Sequence, residues 1–521
     1  MKKVLALMLC LVFALTILSG CGEKKEPPTT GTDVTKAPTE AGSDASAEGS
    51  KEIVEIFWQY PTTGNLGSGF QDMEDALNEM MERDIGVHVT FVPTGLMDSQ
   101  QKAMLMVSAE EPLDICLTAF TSIGPLVSGG MIIPLDELQK QYGKGLEEVG
   151  TNLLKGNYKG QLYGIPPVEM AGQGYGYLIK NKFAEKYGIT LDEEKLYTLE
   201  DLEKIFEIVK AGEGSNFYCN IPWNTTPEPA NNGYIAYDKI GGSLAHGVLM
   251  LNRSFSDLTV YDLFETEEYK TYAETMYRWA QKGYLSPDAA ITTEAPDTLA
   301  ATDNYLGVFY FGGPTAAQDY STTAGTEMTK LNMVEPYAVN AGGAVVQWSI
   351  TINSEHPDKA MEAINYLYTH DEANYIVQYG LEGQSYEVLE KTENGMQIKY
   401  LSDDMASLPY FNPYGLWGNQ LHYPGVAPTS ADKGKIMEEY SKAIPQSRYS
   451  PAMGYNFIQD DVATEVAAVE TVIGQYTPSI NSGALDPAKA LPDFISALKS
   501  AGIDTIIAEN QKQLDAWAAS K

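Results

Sequence analysis

Between residues 53 and 119 the chain changes its hydrophobic period four times, and this alternation narrows the available folds more than any other feature. Residues 53–60 are rich in β-branched and aromatic side chains, and Phe70, Met73, Leu77 and Met80 then recur at helical spacing. Val87, Val89 and Phe91 alternate as a strand, and a helix over 99–109 and a strand over 113–119 repeat the round. Strands separated by helices pair in parallel through right-handed crossovers, so the pattern predicts an α/β lobe. In such sheets a ligand sits beyond the carboxyl ends of the strands, here Trp58-Gln59-Tyr60 and Thr118-Ala119-Phe120-Thr121.

One lobe cannot hold the whole chain. At 521 residues, 44% hydrophobic and 20% charged, it is globular in composition and too long for a single core, which predicts at least two lobes. Thr198 with Asp201 has the spacing of a helix N-cap pair, followed by the apolar stripe Leu199, Leu202, Ile205, Phe206 and Val209, with Gly212 as the expected stop. A loop-rich, aromatic stretch over 217–261 contains Trp223, Tyr234 and Tyr237. A helix over 269–282, strands over 306–311 and 345–353, a helix opening at Pro357 and helices over 461–519 complete the reading, with no internal repeat. The glycine-rich run 172–176 misses the dinucleotide-binding spacing and is expected to be a flexible crossing.

The first fifty residues belong to another problem. Lys2 and Lys3 precede an apolar run, and Leu18-Ser19-Gly20-Cys21 closes it. The run is too short for a bilayer span, which needs about 20 residues, and suits a signal-peptide core. The tetrapeptide resembles the lipobox of bacterial lipoprotein signals, which implies acylation of Cys21 after removal of residues 1–20. Two or more acyl chains make a stable anchor. Residues 22–50 are Pro, Thr, Gly, Ser, Ala and acidic residues, expected to be a disordered tether reaching roughly 30 Å.

Charge and chemistry exclude several classes. The formal charge is −35, and −37 once Lys2 and Lys3 leave with the leader, so nucleic acid and anionic lipid headgroups are repelled. The five histidines show neither a His-Glu-x-x-His motif nor a metal spacing, and no metal or other cofactor is expected. Gly241-Gly242-Ser243-Leu244-Ala245 beside His246 lacks the second glycine of a nucleophile elbow and is expected to be a loop. A carboxylate pair for glycoside hydrolysis cannot be singled out among 70 acidic residues. Cys116 and Cys219, about a hundred residues apart, are expected to be two separate buried thiols rather than a disulfide.

The order of parts carries a resemblance. Glu111-Pro112-Leu113-Asp114-Ile115 leads a strand; Met131-Ile132-Ile133-Pro134-Leu135-Asp136 and Tyr163-Gly164-Ile165-Pro166 follow ahead of Leu178-Ile179-Lys180-Asn181. Ile352-Asn353 and His356-Pro357-Asp358-Lys359-Ala360 precede a long helix. Together with the lipobox and tether, this series resembles the extracellular solute-binding proteins of ABC importers, in the large sugar-binding cluster. A subgroup with a C-terminal domain of unknown function is matched further by Tyr379-Gly380-Leu381-Glu382-Gly383, Trp417-Gly418-Asn419-Gln420, Gly454-Tyr455-Asn456-Phe457 and Ala501-Gly502-Ile503-Asp504.

The resemblance implies a two-lobed periplasmic-binding-protein-like fold of type II, α/β, with discontinuous lobes and a hinge. It divides the mature chain into lobe 1 (51–168 plus about 346–405) and lobe 2 (169–345 plus about 406–521). Crossings would fall near 167–172, near 345–351 and after Tyr400. It also implies a monomer without enzymatic activity, held on the outer face of the cell membrane by lipid alone. Such a protein would capture an oligosaccharide in the cleft and pass it to the transmembrane permease; a peptide or another small organic solute, or a surface glycoside hydrolase, are the other readings.

Sugars offer apolar ring faces and many hydroxyls, so their sites combine aromatic platforms with amide and carboxylate side chains. Position selects Trp58, Tyr60 and Phe120 at strand ends, Glu169 at the first crossing and Trp348 at the second, with Tyr310, Trp417 and Asn419 behind them. Maltose-type members of the cluster resemble Glu169 in placing a hydroxyl-binding carboxylate there, although a solvated hinge carboxylate is the plain alternative. Where the maltose-type pattern has stacking aromatics this chain has Thr118 and Thr315, which argues against maltodextrin as the ligand. Trp279 and Trp517 lie in helical patterns and are expected to be packing residues.

Overall fold

A computed structural model describes residues 52–521, apart from 65, 151–157, 223–234, 243, 295 and 341–345. The leader, Cys21, the tether, Trp223, Tyr234 and Ser243 therefore lie outside the described residues. β1 (Val54–Thr62), β2 (Val87–Gly95) and β3 (Ile115–Ala119) alternate with helices Phe70–Ile85 and Ser99–Ser108, and β1 pairs in parallel with both neighbours. The chain then enters the second lobe at β4 (Gln173–Lys180) and passes through β5 (Asp238–Lys239), β6 (Val248–Leu249) and helix Glu267–Gln281. β7 (Gly307–Gly312) and β8 (Met328–Tyr337) flank β4 on either side, both antiparallel.

β9 (Val346–Ile350) returns the chain to the first lobe. It lies antiparallel on β3 and completes the order β2-β1-β3-β9, beneath helix Pro357–Thr369. A small satellite sheet follows, built from β10 (Tyr386–Thr392), β11 (Gly395–Tyr400) and β12 (Gly425–Val426). Helix Lys433–Ala443 leads back to the second lobe, which helices Ala463–Asn481, Pro487–Ala501 and Ile503–Ala519 complete.

Local sequence explains most element boundaries. Thr198 accepts from the Asp201 amide and Asp201 accepts from the Thr198 amide, a capping box that starts helix Leu199–Glu213 and buries the predicted stripe. Gly212 does not stop that helix. The Tyr187 ring occupies the space of any Cβ at Gly212, and the turn away comes at Gly214, whose φ is +89°. The run 172–176 is likewise no loop: Gln173 to Gly176 is strand β4, and Gly176 lets the Leu331 carbonyl of β8 approach where a side chain would stand.

Two principal cores follow. The second lobe packs Phe206, Trp279 and Phe309 with the C-terminal helices through Val469, Phe494, Ile506 and Leu514. The first lobe centres on Trp58, Trp348 and Trp417, all fully buried. Trp348 stacks on Trp417 at 4.5 Å between ring centroids, Trp58 meets each edge-on at 5.6 Å, and the Trp348 indole donates to the Leu416 carbonyl at 2.9 Å. Tyr60 donates to the Tyr410 hydroxyl at 2.7 Å, because the Tyr410 proton is committed to the Val377 carbonyl.

This core corrects two boundaries. Tyr410, Leu416 and Trp417 belong to the first lobe, so its last piece runs well beyond residue 405. The second crossing precedes β9 instead of falling in it, because residues 346–350 pair with β3 throughout. Cys116 and Cys219 are free and buried in separate clusters, where desolvation pushes each thiol up to about 12.

Removing one ring of this cluster should be costly. Trp348→Ala is expected to lower stability by about 3–5 kcal/mol through the cavity it leaves, measured by denaturant unfolding. An unfolding curve matching the parent's would show that the stack contributes nothing.

Candidate functional site

The cleft is defined by where the chain changes lobes. The first crossing is pinned to the first lobe up to Val168, whose amide donates to the Gly418 carbonyl at 2.9 Å and whose carbonyl accepts from the Gln420 amide at 3.0 Å. The second and third crossings meet on the far side, where the Ala338 amide donates to the Arg448 carbonyl at 3.0 Å and the Ser450 amide to the Ala338 carbonyl at 2.8 Å. Between these anchors the first crossing meets the turn after β7 and the third crossing at glycines. A Cβ at Gly313 would stand 2.8 Å from the Met170 methyl, and one at Gly172, whose φ is +80°, would strike Ile444.

Glu169 sits at this junction. Its side chain is solvent-accessible, yet protein crowds it, and that desolvation raises its carboxyl pKa above the ordinary value despite the opposing hydrogen bond from Gln420. The Gln420 amide donates to Glu169 Oε1 at 3.3 Å and also to the Gly415 carbonyl. Both Gln420 Nε2 protons are thereby committed, and the pair presents acceptors, Glu169 Oε2 and Gln420 Oε1, to which sugar hydroxyls can donate.

Phe120 is the other exposed candidate. It follows β3 at the carboxyl end of the parallel strands, is 42% exposed, and has φ +56°. A bulky residue in the left-handed region is strained, and such strain persists only where the surroundings hold it. Here Gln100 Nε2 donates to the Ser122 carbonyl at 2.6 Å and ties the turn to helix Ser99–Ser108. Met97, 72% exposed, immediately precedes that helix's N-terminal turn. A second link between lobes runs from the satellite sheet: Thr429 Oγ1 donates to Asp319 Oδ1 at 2.6 Å, and Thr315 Oγ1 donates to Asp319 Oδ2 at 3.0 Å.

Of the eight residues that sequence position selects for the ligand, these two alone are exposed. Trp58, Tyr60, Trp348 and Trp417 are core, because the face shared by Trp58 and Tyr60 is the one that helices Phe70–Ile85 and Pro357–Thr369 cover. Trp348 is not a cleft residue because β9 pairs with β3 along its length and the Trp348 ring packs into the core against Trp58 and Trp417. Tyr310 is buried and donates to the Gly313 carbonyl at 2.5 Å, which shapes the turn ahead of helix Ala316–Ala324. Asn419 is buried and caps the short turn Gln420–His422 through the Leu421 amide at 3.1 Å. Trp279 is fully buried, Trp517 packs edge-on against Tyr455 at 5.6 Å, and Thr118 and Thr315 are buried. His246 is buried with Glu470 3.9 Å away, and desolvation lowers its pKa to about 4. Gln420 and Met97 are not among the residues that sequence position selects; Gln420 closes the motif Trp417-Gly418-Asn419-Gln420, whereas nothing in the sequence marks Met97.

Comparison with known proteins bears on the whole chain. The family described as bacterial extracellular solute-binding protein matches residues 75–386, and a domain of unknown function (DUF3502) matches residues 451–519. A protein of Streptococcus pneumoniae described as a carbohydrate ABC transporter substrate-binding protein is 24% identical over 489 residues, covering 92% of this chain and 93% of its own. An N-glycan transport solute-binding protein of Streptococcus pneumoniae superposes with a TM-score of 0.73 at 22% identity, over 89% of this chain and 98% of the other. The substrate-binding protein FusA of the same species, in complex with kestose, gives 0.60 at 17% identity over 90% and 100%. The structural likenesses establish the two-lobed fold.

The strain at Phe120 has a direct check. Phe120→Gly and Phe120→Ala both delete the ring, but only glycine escapes the left-handed cost, so the glycine variant is expected to be the more stable by about 1 kcal/mol. Thermal unfolding of the two variants side by side measures the difference, and equal midpoints would mean that the turn is unstrained.

Proposed function

We propose, from the premise that this chain belongs to the bacterial extracellular solute-binding proteins, that it captures an oligosaccharide between its lobes and delivers it to an ABC permease. The observation that carries the proposal is the end-to-end likeness to a relative described as a carbohydrate ABC transporter substrate-binding protein, over 92% of the chain. The residues at the cleft fit that chemistry. Phe120 offers an exposed apolar ring to a sugar face, and Glu169 with Gln420 offers acceptors to its hydroxyls. A ligand that touches both lobes favours the closed arrangement only by its differential affinity for it, and the closed arrangement is what the permease would read.

Cys21 is the proposed site of lipidation, with residues 22–50 as the tether that keeps a monomeric binding lobe pair close to its permease. The chain is proposed to bind intact sugar without cleaving it. Its acidity disfavours nucleic acid and anionic lipid as partners.

Calorimetric titration with an oligosaccharide panel tests the central reading. Stoichiometric binding with intact sugar recovered is the expected outcome; binding confined to peptides, or release of sugar products, would overturn it. Glu169→Gln and Phe120→Ala are each expected to weaken binding by about 1 kcal/mol or more, on the order of one hydrogen bond or one stacking contact. Full affinity in both folded variants would remove them from the site. Cys21→Ala is expected to release the protein into the medium, and continued membrane retention would exclude the lipid anchor.

A further inference from the structure

The matched domain of unknown function is not a separate body in this structure. Its three helices supply much of the second lobe's core, and the segment ahead of them, residues 455–462, has two faces. Tyr455, Phe457 and Val462 point into the second lobe, whereas Ile458 packs against a first-lobe cluster that includes Ala103, Ile123, Leu126 and Tyr158. Two residues on, Asp460 Oδ2 accepts a hydrogen bond from the Tyr158 hydroxyl at 2.7 Å, across 302 residues of sequence.

We propose that the Tyr158–Asp460 bond is a latch between the lobes, and that bearing its acceptor is a role of the C-terminal domain. Both halves are built to hold position. On the second lobe, the Ile458 amide donates to Gln513 Oε1 at 3.0 Å and Gln513 Nε2 donates back to the Ile458 carbonyl at 2.9 Å. Gln459 Nε2 adds a bond to the Gly241 carbonyl at 2.9 Å. The carrier is therefore fixed to helix Ile503–Ala519 and to the loop before β6, and only its tip crosses. On the first lobe, the Tyr163 ring meets Tyr158 edge-on at 6.0 Å.

The seat beneath the latch is shaped for it. Gly124 has an ordinary negative φ, so its lack of a side chain has no conformational cause. A Cβ there would stand 2.8 Å from Asp460 Oδ1 and 3.7 Å from the Tyr158 ring, so glycine leaves the room that the carboxylate occupies. The donor is stable as well. Burial, and then the neighbouring Asp460 carboxylate, push the Tyr158 phenol up to about 12, which keeps its proton in place at neutral pH. The seat belongs to the turn after β3 that also holds Phe120, so the latch closes the ligand side of the first sheet.

The inference holds whatever the ligand, and its test uses none. Small-angle scattering of the ligand-free full-length chain reads the separation of the lobes. Tyr158→Phe and Asp460→Ala are each expected to shift the ratio of latched to unlatched molecules roughly tenfold, on the order of one hydrogen bond to a charged group, and so to enlarge the particle. The double variant should open no further than either single one, since both remove the same bond. Gln513→Ala, which frees the carrier without touching the first lobe, should open the chain too. Unchanged scattering from Tyr158→Phe and Asp460→Ala, or fully additive opening in the double variant, would overturn the latch.

Discussion

The stack of Trp348 on Trp417, with Trp58 against both, is the contact on which the remaining architecture depends. These three rings come from β1, from β9 and from the stretch between β11 and β12, segments far apart in sequence. A core built from such distant pieces forces the chain to leave the first lobe and return to it. It must then leave again to finish the second. The crossings are thus consequences of where the tryptophans pack. Aromatic pairs add about 0.5–1.5 kcal/mol each beyond the area they bury, and the indole bond from Trp348 to Leu416 ties the stretch that carries Trp417 to β9.

That same contact explains which parts of the molecule sequence could reveal. Residues 53–119 carried their periods openly, because each strand and helix there is local, and β1 to β3 formed where the pattern placed them. The capping box at Thr198 was equally legible, since its two hydrogen bonds join residues three apart. Long-range facts were not. Position along the chain put Trp348 at a crossing, but only its pairing partner on β3 determines that it lies inside a sheet. Alternation correctly sent Trp58 and Tyr60 to one face, yet period alone cannot say whether helices or the cleft cover that face. Phe120 and Glu169 survived as candidates because they lie one step beyond regular structure, where a side chain escapes the core.

Glycine misled the reading for a related reason. Gly172 and Gly212 carry the pattern of a loop and a stop, whereas in the structure their neighbours are Ile444 and the Tyr187 ring. At each, the missing Cβ makes space for a side chain from a remote segment. A close approach of this kind leaves no local signature, and sequence alone cannot separate it from a turn.

The arrangement also limits how the lobes can move. At the hinge, Ile444 fills the gap beside Gly172, so the first and third crossings cannot slide past each other without opening a void. Rotation about a few backbone torsions is the motion that remains. Two links then resist that rotation: Thr429 to Asp319, four residues ahead of the last crossing helix, and Tyr158 to Asp460, seated on Gly124 beyond β3. The second joins the C-terminal segment to the end of the first sheet where Phe120 stands. A bond at that position sets the free energy that any ligand must supply or oppose. In this chain, therefore, the C-terminal region acts on the cleft through the angle between its walls, without contributing a wall of its own.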